Sequence, residues 1–329
     1  ATYEPAVDRR LTFAELNARS NQVANALRGL GVEHGDRVGL LLMNGAEFAE
    51  TFFACGKIGA VNVPLNWRLV ADELEFIIGD AGCTALVFSG EFAEVTAELR
   101  RRGSTSVEHW IQLGGGGDDV IDYDEWRSAA SVDEPEASGG GDDLLFIMYT
   151  SGTTGLPKGV MHSHDTVLWA VLTIASTSDF HIGDRFLNSL PMFHVGALAP
   201  VISCIYTGVT LVIMKAFDPA ESWRLIREEK VTNSLMVPAM LQFMLATYDP
   251  DETELSTLRW VMSGAAPVPV NLINQYTDMG IEIHQVYGLT ESCGPTCLIG
   301  SADATSRAGS TGKAFFFTRV RVIDTDGND

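Results

Sequence analysis

The sequence predicts an α/β fold: two subdomains of mostly parallel sheet flanked by helices, followed by the start of a β-barrel-like region. Three observations predict it. Short apolar strands alternate with amphipathic helices, which implies parallel pairing through right-handed crossovers. A polar stretch at 131–143, rich in Gly, Glu and Asp, interrupts the alternation once and reads as a separator. From Gly312 the pattern changes, and Thr318-Arg-Val-Arg-Val-Ile323 alternates polar and apolar, as an antiparallel or barrel strand does. The expected domains are therefore 1–140, 141–308 and 309–329.

The elements follow in order. Thr12 and Glu15 have capping-box spacing. Phe13, Leu16, Val23, Leu27 and Leu30 then mark one apolar helix face. Residues 36–43 read as a buried strand, 47–58 as a helix, 60–64 as a strand, 72–78 as a helix and 84–88 as a strand. Residues 114–119 form a glycine-acid loop. After the separator, 144–149 is a strand that delivers a glycine-rich loop. Further strands are expected at 185–189, 210–214, 234–237, 260–263 and 282–287, with helices at 219–229, 238–248 and 268–279. Residues 195–214 carry no charge over the length of a membrane span. Pro200 and Gly208 interrupt that run, so a helix, a turn and a buried strand fit better.

Bulk properties exclude some functions. Lysine and arginine number 22 against 43 acids, a formal charge of −21. Nucleic-acid binding needs basic patches, so that class is disfavoured. Five scattered cysteines suit a reducing compartment, and Cys293 and Cys297 lack a second ligand pair for zinc. The chain begins Ala1-Thr-Tyr-Glu without an initiator methionine, and reads as processed or truncated.

Tyr149-Thr-Ser-Gly-Thr-Thr-Gly-Leu-Pro-Lys-Gly159 has the composition of a phosphate cradle. Gly152 and Gly155 let backbone N–H groups approach an anion. Thr150, Ser151, Thr153 and Thr154 add hydroxyls, and Lys158 adds charge. It is not a Walker A loop, because two residues separate the glycines where four are needed and Pro157 precedes the lysine. A dinucleotide site is also disfavoured: the strand at 38–43 runs into Asn44-Gly45, without Gly-x-Gly-x-x-Gly spacing.

That phosphate loop resembles the signature of the adenylate-forming (AMP-binding) superfamily, which contains acyl-CoA synthetases, amino-acid-activating domains and firefly luciferase. Leu190-Pro-Met-Phe-His-Val-Gly196, Ser263-Gly-Ala-Ala-Pro267 and Tyr287-Gly-Leu-Thr-Glu-Ser292 match further motifs in order, and the likeness covers essentially the whole chain. Its nearest resemblance is to actinobacterial fatty acyl-CoA ligases. This implies a five-layered αβαβα N-terminal region, with the small C-terminal domain, its catalytic lysine and the ribose-binding aspartate absent. The fragment is then expected to adenylate slowly or not at all, or to act as a binding module.

The resemblance also implies roles, with ATP, Mg²⁺ and CoA as cofactor and co-substrates. Thr150 to Gly155 and Lys158 would hold the β- and γ-phosphates. Thr290 would bond the α-phosphate, and Glu291, with Thr153, would hold Mg²⁺. Gly264, Ala265, Ala266, Pro267, Gln285, Val286, Tyr287, Gly288 and Leu289 would surround the nucleotide, with Tyr287 stacked on adenine. Phe193, His194, Val195 and Leu198, with Gly264 and Gly288, would line the acyl pocket. His194, Thr290, Glu291 and Lys158 are the catalytic candidates. By its residue type alone, a histidine between Phe193 and Val195 is often just a buried, satisfied side chain.

Amino-acid substrates are disfavoured, since His194 stands where an acidic partner for the ammonium group is usual and an unpaired buried cation is costly. The apolar residues after His194 suit an alkyl chain. The expected activity is fatty acid–CoA ligation of a medium-to-long chain, with an aryl acid, or a carrier-protein acceptor, as the alternative. A cytoplasmic location is expected. Peripheral contact with the inner face of the plasma membrane and a homodimer are left open; no amphipathic basic helix stands out.

Overall fold

The computed structural model describes residues 1–151, 155–251 and 254–328. Two compact units divide it. One contains 1–168, 191–198 and 213–216; the other contains 169–190, 199–212 and 217–329.

The first unit opens with a short antiparallel hairpin, β1 (Thr2–Glu4) and β2 (Arg9–Leu11). Thr12 then caps α1 (Phe13–Gly29): its Oγ1 accepts from Glu15 N–H at 3.1 Å, and Glu15 Oε2 accepts from Thr12 N–H at 2.7 Å. The alternation follows as β3 (Arg37–Leu41), α2 (Ala46–Ile58), β4 (Val61–Pro64), α3 (Ala71–Ala81), β5 (Cys83–Ser89), α4 (Ala93–Arg102), β6 (His109–Leu113), β7 (Ile121–Asp122), α5 (Tyr123–Ser128), β8 (Leu144–Thr150) and β9 (Lys158–Ser163). The sheet order is β7-β6-β5-β3-β4-β8-β9. All its pairs are parallel except the β8–β9 hairpin. Leu74, Ile77 and Ile78 of α3 pack on Leu41, Leu86 and Phe88 to close one core.

A buried ionic knot ties the helices of this unit together. Glu50 on α2 is fully buried. It accepts from Arg19 Nε at 2.5 Å and from the Tyr123 hydroxyl at 3.0 Å, with Arg127 Nε 3.9 Å away. Burial holds the Glu50 carboxyl above its ordinary pKa despite these partners.

The stretch at 131–143 is not a separator. It docks along the first unit because α1 offers it a row of donors: Asn21 donates to Val132 O, Asn25 to Ser131 O and Asp133 O, and Arg28 to Glu136 O. Gly139 lies so close that a Cβ there would meet Gly59 Cα at 2.8 Å. The compact units therefore do not part at residue 140, since β8 pairs with β4 and belongs to the first unit's sheet.

Helices α6 (His164–Thr177) and α7 (Val195–Thr207) each begin in the first unit and end in the second. The second unit adds β10 (Arg185–Asn188), β11 (Thr210–Ile213), α8 (Pro219–Glu228), β12 (Asn233–Met236), α9 (Pro238–Ala246), β13 (Trp260–Ser263), α10 (Val270–Asp278), β14 (Glu282–Leu289), β15 (Gly294–Leu298), α11 (Ser301–Ala304) and β16 (Lys313–Ala314). Its strand order is β16-β15-β14-β13-β12-β10-β11. The β10–β12–β13–β14 ladder is parallel, and β14–β15–β16 is antiparallel. Both units are thus α/β, as the alternation predicts. The expected strand at 318–323 is not formed. No ladder pairs with it among the described residues, and Val320, Val322 and Ile323 are exposed. Among the described residues, no helix is long and apolar enough to cross a membrane.

Candidate active site

The expected site residues fall on both units, and each group is described on its own unit.

In the first unit, β8 runs outward and β9 returns antiparallel, with Thr150 opposite Lys158. Lys158 therefore opens the returning strand and faces Thr150 across the neck of the loop. Gly159 makes the hairpin tight: a Cβ there would meet Ile147 Cγ2 at 2.8 Å and the Tyr149 ring at 3.1 Å. The Tyr149 hydroxyl donates to Asp80 Oδ2 at 2.6 Å, pinning the last turn of β8. Ser151, Gly155 and Lys158 are exposed, and Gly155 takes the left-handed φ of +99° that glycine permits. Gly152, Thr153 and Thr154 lie outside the described residues.

The segment after β10 returns to the first unit at Pro191. Asn44, in the turn between β3 and α2, fastens it: Asn44 Oδ1 accepts from Met192 N–H at 2.8 Å, and Asn44 Nδ2 donates to Met214 O at 3.0 Å. Asn44 was passed over on sequence because its only signal, Asn-Gly after a buried strand, marks any turn. Asn44→Ala is expected to leave two buried backbone groups without this partner. The loss should be about 1–3 kcal/mol in urea unfolding, and an unchanged midpoint would refute the clamp.

Phe193 is buried, while His194 is exposed at the start of α7 with its ring 4.3 Å from that of Phe193. The crowded apolar surroundings, and after them Arg68, hold the His194 pKa below its ordinary value, so the ring is neutral at pH 7. Beyond it Val195 is half-buried, and Ala197, Leu198 and Val201 are buried.

In the second unit, parallel pairing of Ser263 with Gln285 brings the 264–267 turn beside β14. The approach is close: a Cβ on Gly264 would lie 2.2 Å from Val286 O. Ala265 sits at φ +64°, which turns the chain sharply there. Gly288 is equally constrained, 2.2 Å from Gly294 O on β15 if it bore a Cβ. Tyr287 is 45% exposed, leaving its ring available for stacking. A single 3₁₀ turn, Thr290–Ser292, follows. Ser292 Oγ accepts from Leu289 N–H at 3.0 Å and donates to Gly294 O at 2.7 Å, which holds Glu291 out in solvent.

The ends of this parallel ladder also hold polar atoms that are buried and unpartnered among the described residues: Asn188 Nδ2, Ser189 Oγ, Ser263 Oγ and Gln285 Nε2. Unsatisfied buried groups are rare unless a ligand or water completes them. Ligands of open α/β sheets sit at the carboxyl ends of the strands. The residues here thus fit a nucleotide, and the exposed Glu291 carboxylate is a suitable hard donor for Mg²⁺. Asn188 and Ser189 were read on sequence only as the end of the strand at 185–189, because a polar pair there carries no motif spacing.

Comparison with known proteins gives consistent matches. The AMP-binding enzyme family matches residues 2–329. The long-chain-fatty-acid–CoA ligase FadD13 of Mycobacterium tuberculosis is 45% identical over 99% of this chain and 64% of its own length. A feruloyl-CoA synthase of an Amycolatopsis species is 36% identical over 96% of the chain and 62% of its own. The inhibitor-bound N-terminal domain of FACL13 from Mycobacterium tuberculosis superposes with a TM-score of 0.92 at 43% identity, covering 99% of this chain and 81% of that one. The chain thus spans 64% of the length of the mycobacterial ligase.

Proposed function

The chain belongs to the AMP-binding enzyme family, and from that premise we propose that the protein is a fatty acid–CoA ligase for medium-to-long chains. The observation that carries the substrate assignment is His194, exposed at the mouth of a helix whose next turn buries Ala197, Leu198 and Val201. An acid entering there would place its carboxylate by a neutral imidazole and its tail along an apolar wall. The 45% identity to a long-chain-fatty-acid–CoA ligase supports the same class.

The carboxylate attacks the α-phosphate of ATP, and pyrophosphate leaves. The CoA thiol then attacks the acyl carbon and AMP leaves. Positioning and charge stabilisation dominate phosphoryl chemistry. Thr150 and Lys158, across the neck of the hairpin, hold the departing phosphates. Tyr287 stacks on adenine, with Gly264 and Gly288 keeping the backbone close around it. Thr290 bonds the α-phosphate. Mg²⁺, when bound, neutralises phosphate charge; Glu291 is the carboxylate that would hold it. His194 donates a hydrogen bond to the acyl carboxylate. The buried free cysteines suit a reducing, cytoplasmic setting.

Pyrophosphate exchange on the full-length protein, across aliphatic acids of graded length and benzoate- or cinnamate-type acids, tests this. Each methylene should lower KM by roughly fourfold until the pocket is filled, from roughly 0.8 kcal/mol per buried CH₂. A maximum with aryl acids would transfer the assignment to an aryl-acid ligase. Acyl transfer to carrier protein and not to CoA would make it a fatty acyl-AMP ligase.

A further inference from the structure

Arg68 has entered so far only through its charge near His194, yet its surroundings are specific. It follows β4 in the loop that leaves the carboxyl end of that strand. Its guanidinium carbon lies 4.2 Å from the Trp67 ring centroid and 5.6 Å from that of Phe193. Trp67 stands edge-on to Phe193 at 5.8 Å and stacks on Phe92 at 6.4 Å. Phe193 in turn touches His194. Phe92, Trp67, Phe193 and His194 thus form one row of rings within the first unit, with a cation laid over its middle. Arg100, Arg101 and Arg102 of the same unit all face carboxylates. Arg68 pairs with none among the described residues, in a chain holding 43 acids and 22 bases.

A guanidinium is attracted to aromatic faces, most strongly to tryptophan, and its planar fork stacks where an ammonium does not. We propose that Arg68 is a positioning residue for His194: held on Trp67 and Phe193, it fixes the imidazole and sets a permanent positive charge beside it. An arriving carboxylate, and the adenylate it becomes, then meet a neutral hydrogen-bond donor backed by a cation. The inference rests on the reading that His194 faces the carboxylate. The lowered His194 pKa agrees with it. Shielding by the apolar neighbours lowers it first, and the Arg68 charge lowers it further.

The test uses the full-length protein, with Arg68→Gln, Arg68→Lys, His194→Ala and the Arg68→Gln/His194→Ala double variant. The exchange reaction is run without CoA across pH, and the His194 imidazole is titrated by NMR. Arg68→Gln should raise the His194 pKa and move the acid limb of the exchange profile to higher pH, because the repelling charge is gone. It should also lower the exchange kcat by about tenfold, with KM for ATP unchanged. Arg68→Lys should restore the limb but only part of the rate, since the charge returns without the stack. In the His194→Ala background, Arg68→Gln should add almost nothing, the signature of coupled sites. An unshifted His194 titration, or additive losses in the double variant, overturns the proposal. So does an effect confined to KM for CoA, which would assign Arg68 to that substrate's phosphates. If His194→Ala loses exchange while Arg68→Gln is silent, the proposal alone falls. If His194→Ala exchanges at the wild-type rate, the reading of His194 falls and the proposal with it.

Discussion

Gly264→Ala is expected to weaken ATP binding by about ten- to a hundredfold. An added Cβ would sit 2.2 Å from Val286 O and 2.8 Å from Val286 Cγ1. Real Cβ atoms do not approach backbone oxygen so closely, so the 264–267 turn or β14 must move. The ladder resists movement of β14, because Ser263 and Gln285 are paired and β15 holds its far side. The strain therefore falls on the turn and on Tyr287, the two surfaces assigned to adenine. Overpacking of this kind costs about 1–3 kcal/mol, and each 1.4 kcal/mol is about tenfold in affinity. Calorimetry with ATP on the full-length protein measures it, with thermal melting alongside. Gly79→Ala is the control: its Cβ meets nothing within 4 Å in α3, and it should leave ATP affinity unchanged. Wild-type affinity in Gly264→Ala would show that this turn is not part of the nucleotide site.

Glu50→Ala should give the largest loss of stability, about 3–5 kcal/mol, the range for removing one partner of a buried ion pair. The Arg19 and Arg127 side chains are mostly buried, and each has a buried guanidinium nitrogen with no hydrogen-bond partner among the described residues even with Glu50 present. Without the carboxylate the Arg19 charge would lose its ion-pair partner, while Arg127 would keep only Asp124, 3.4 Å away. Tyr123→Phe removes one hydrogen bond and keeps the pair, so about 1 kcal/mol is expected. The two effects should be resolved by urea unfolding, where loss of the first cooperative unit reports on α1, α2 and α5. A Glu50→Ala change under 1 kcal/mol would mean that water reaches the knot after the substitution. Exchange activity per folded molecule should survive, which separates this variant from Gly264→Ala.

Legibility from sequence followed the range of the forces involved. Thr12 and Glu15 were readable as a capping box because the bonds they make span three residues. The strand at 260–263 was readable because it is buried along its whole length, which leaves the short apolar run Trp260-Val-Met262. Lys158 to Ser163 was not, since nothing in Lys-Gly-Val-Met-His-Ser marks a strand until β8 lies beside it. Residues 318–323 failed in the opposite sense: the alternation is present, but a strand exists only with a partner ladder. The polar stretch at 131–143 has the composition of a linker, yet side chains more than 100 residues earlier fix it in place. In the site, the motif residues were found because their types and spacing carry the chemistry. Asn44, Trp67 and Arg68 were missed because their roles are contacts with Met192, Met214 and Phe193, which no local spacing encodes.

The clamp made by Asn44 has a consequence for how the protein is born. Domains emerging from a ribosome usually fold as units, N-terminal part first. The first unit cannot finish that way. Asn44 leaves the exit tunnel long before Met192 and Met214, the backbone groups that complete its hydrogen bonds. Until residues 213–216 are synthesised, the first unit lacks two of its segments and the polar anchor at Asn44 is wet. Most of the chain must therefore be made before either unit is whole. A nascent chain stalled near residue 170 would present an unfinished apolar surface to chaperones, even though all seven strands of that sheet already exist.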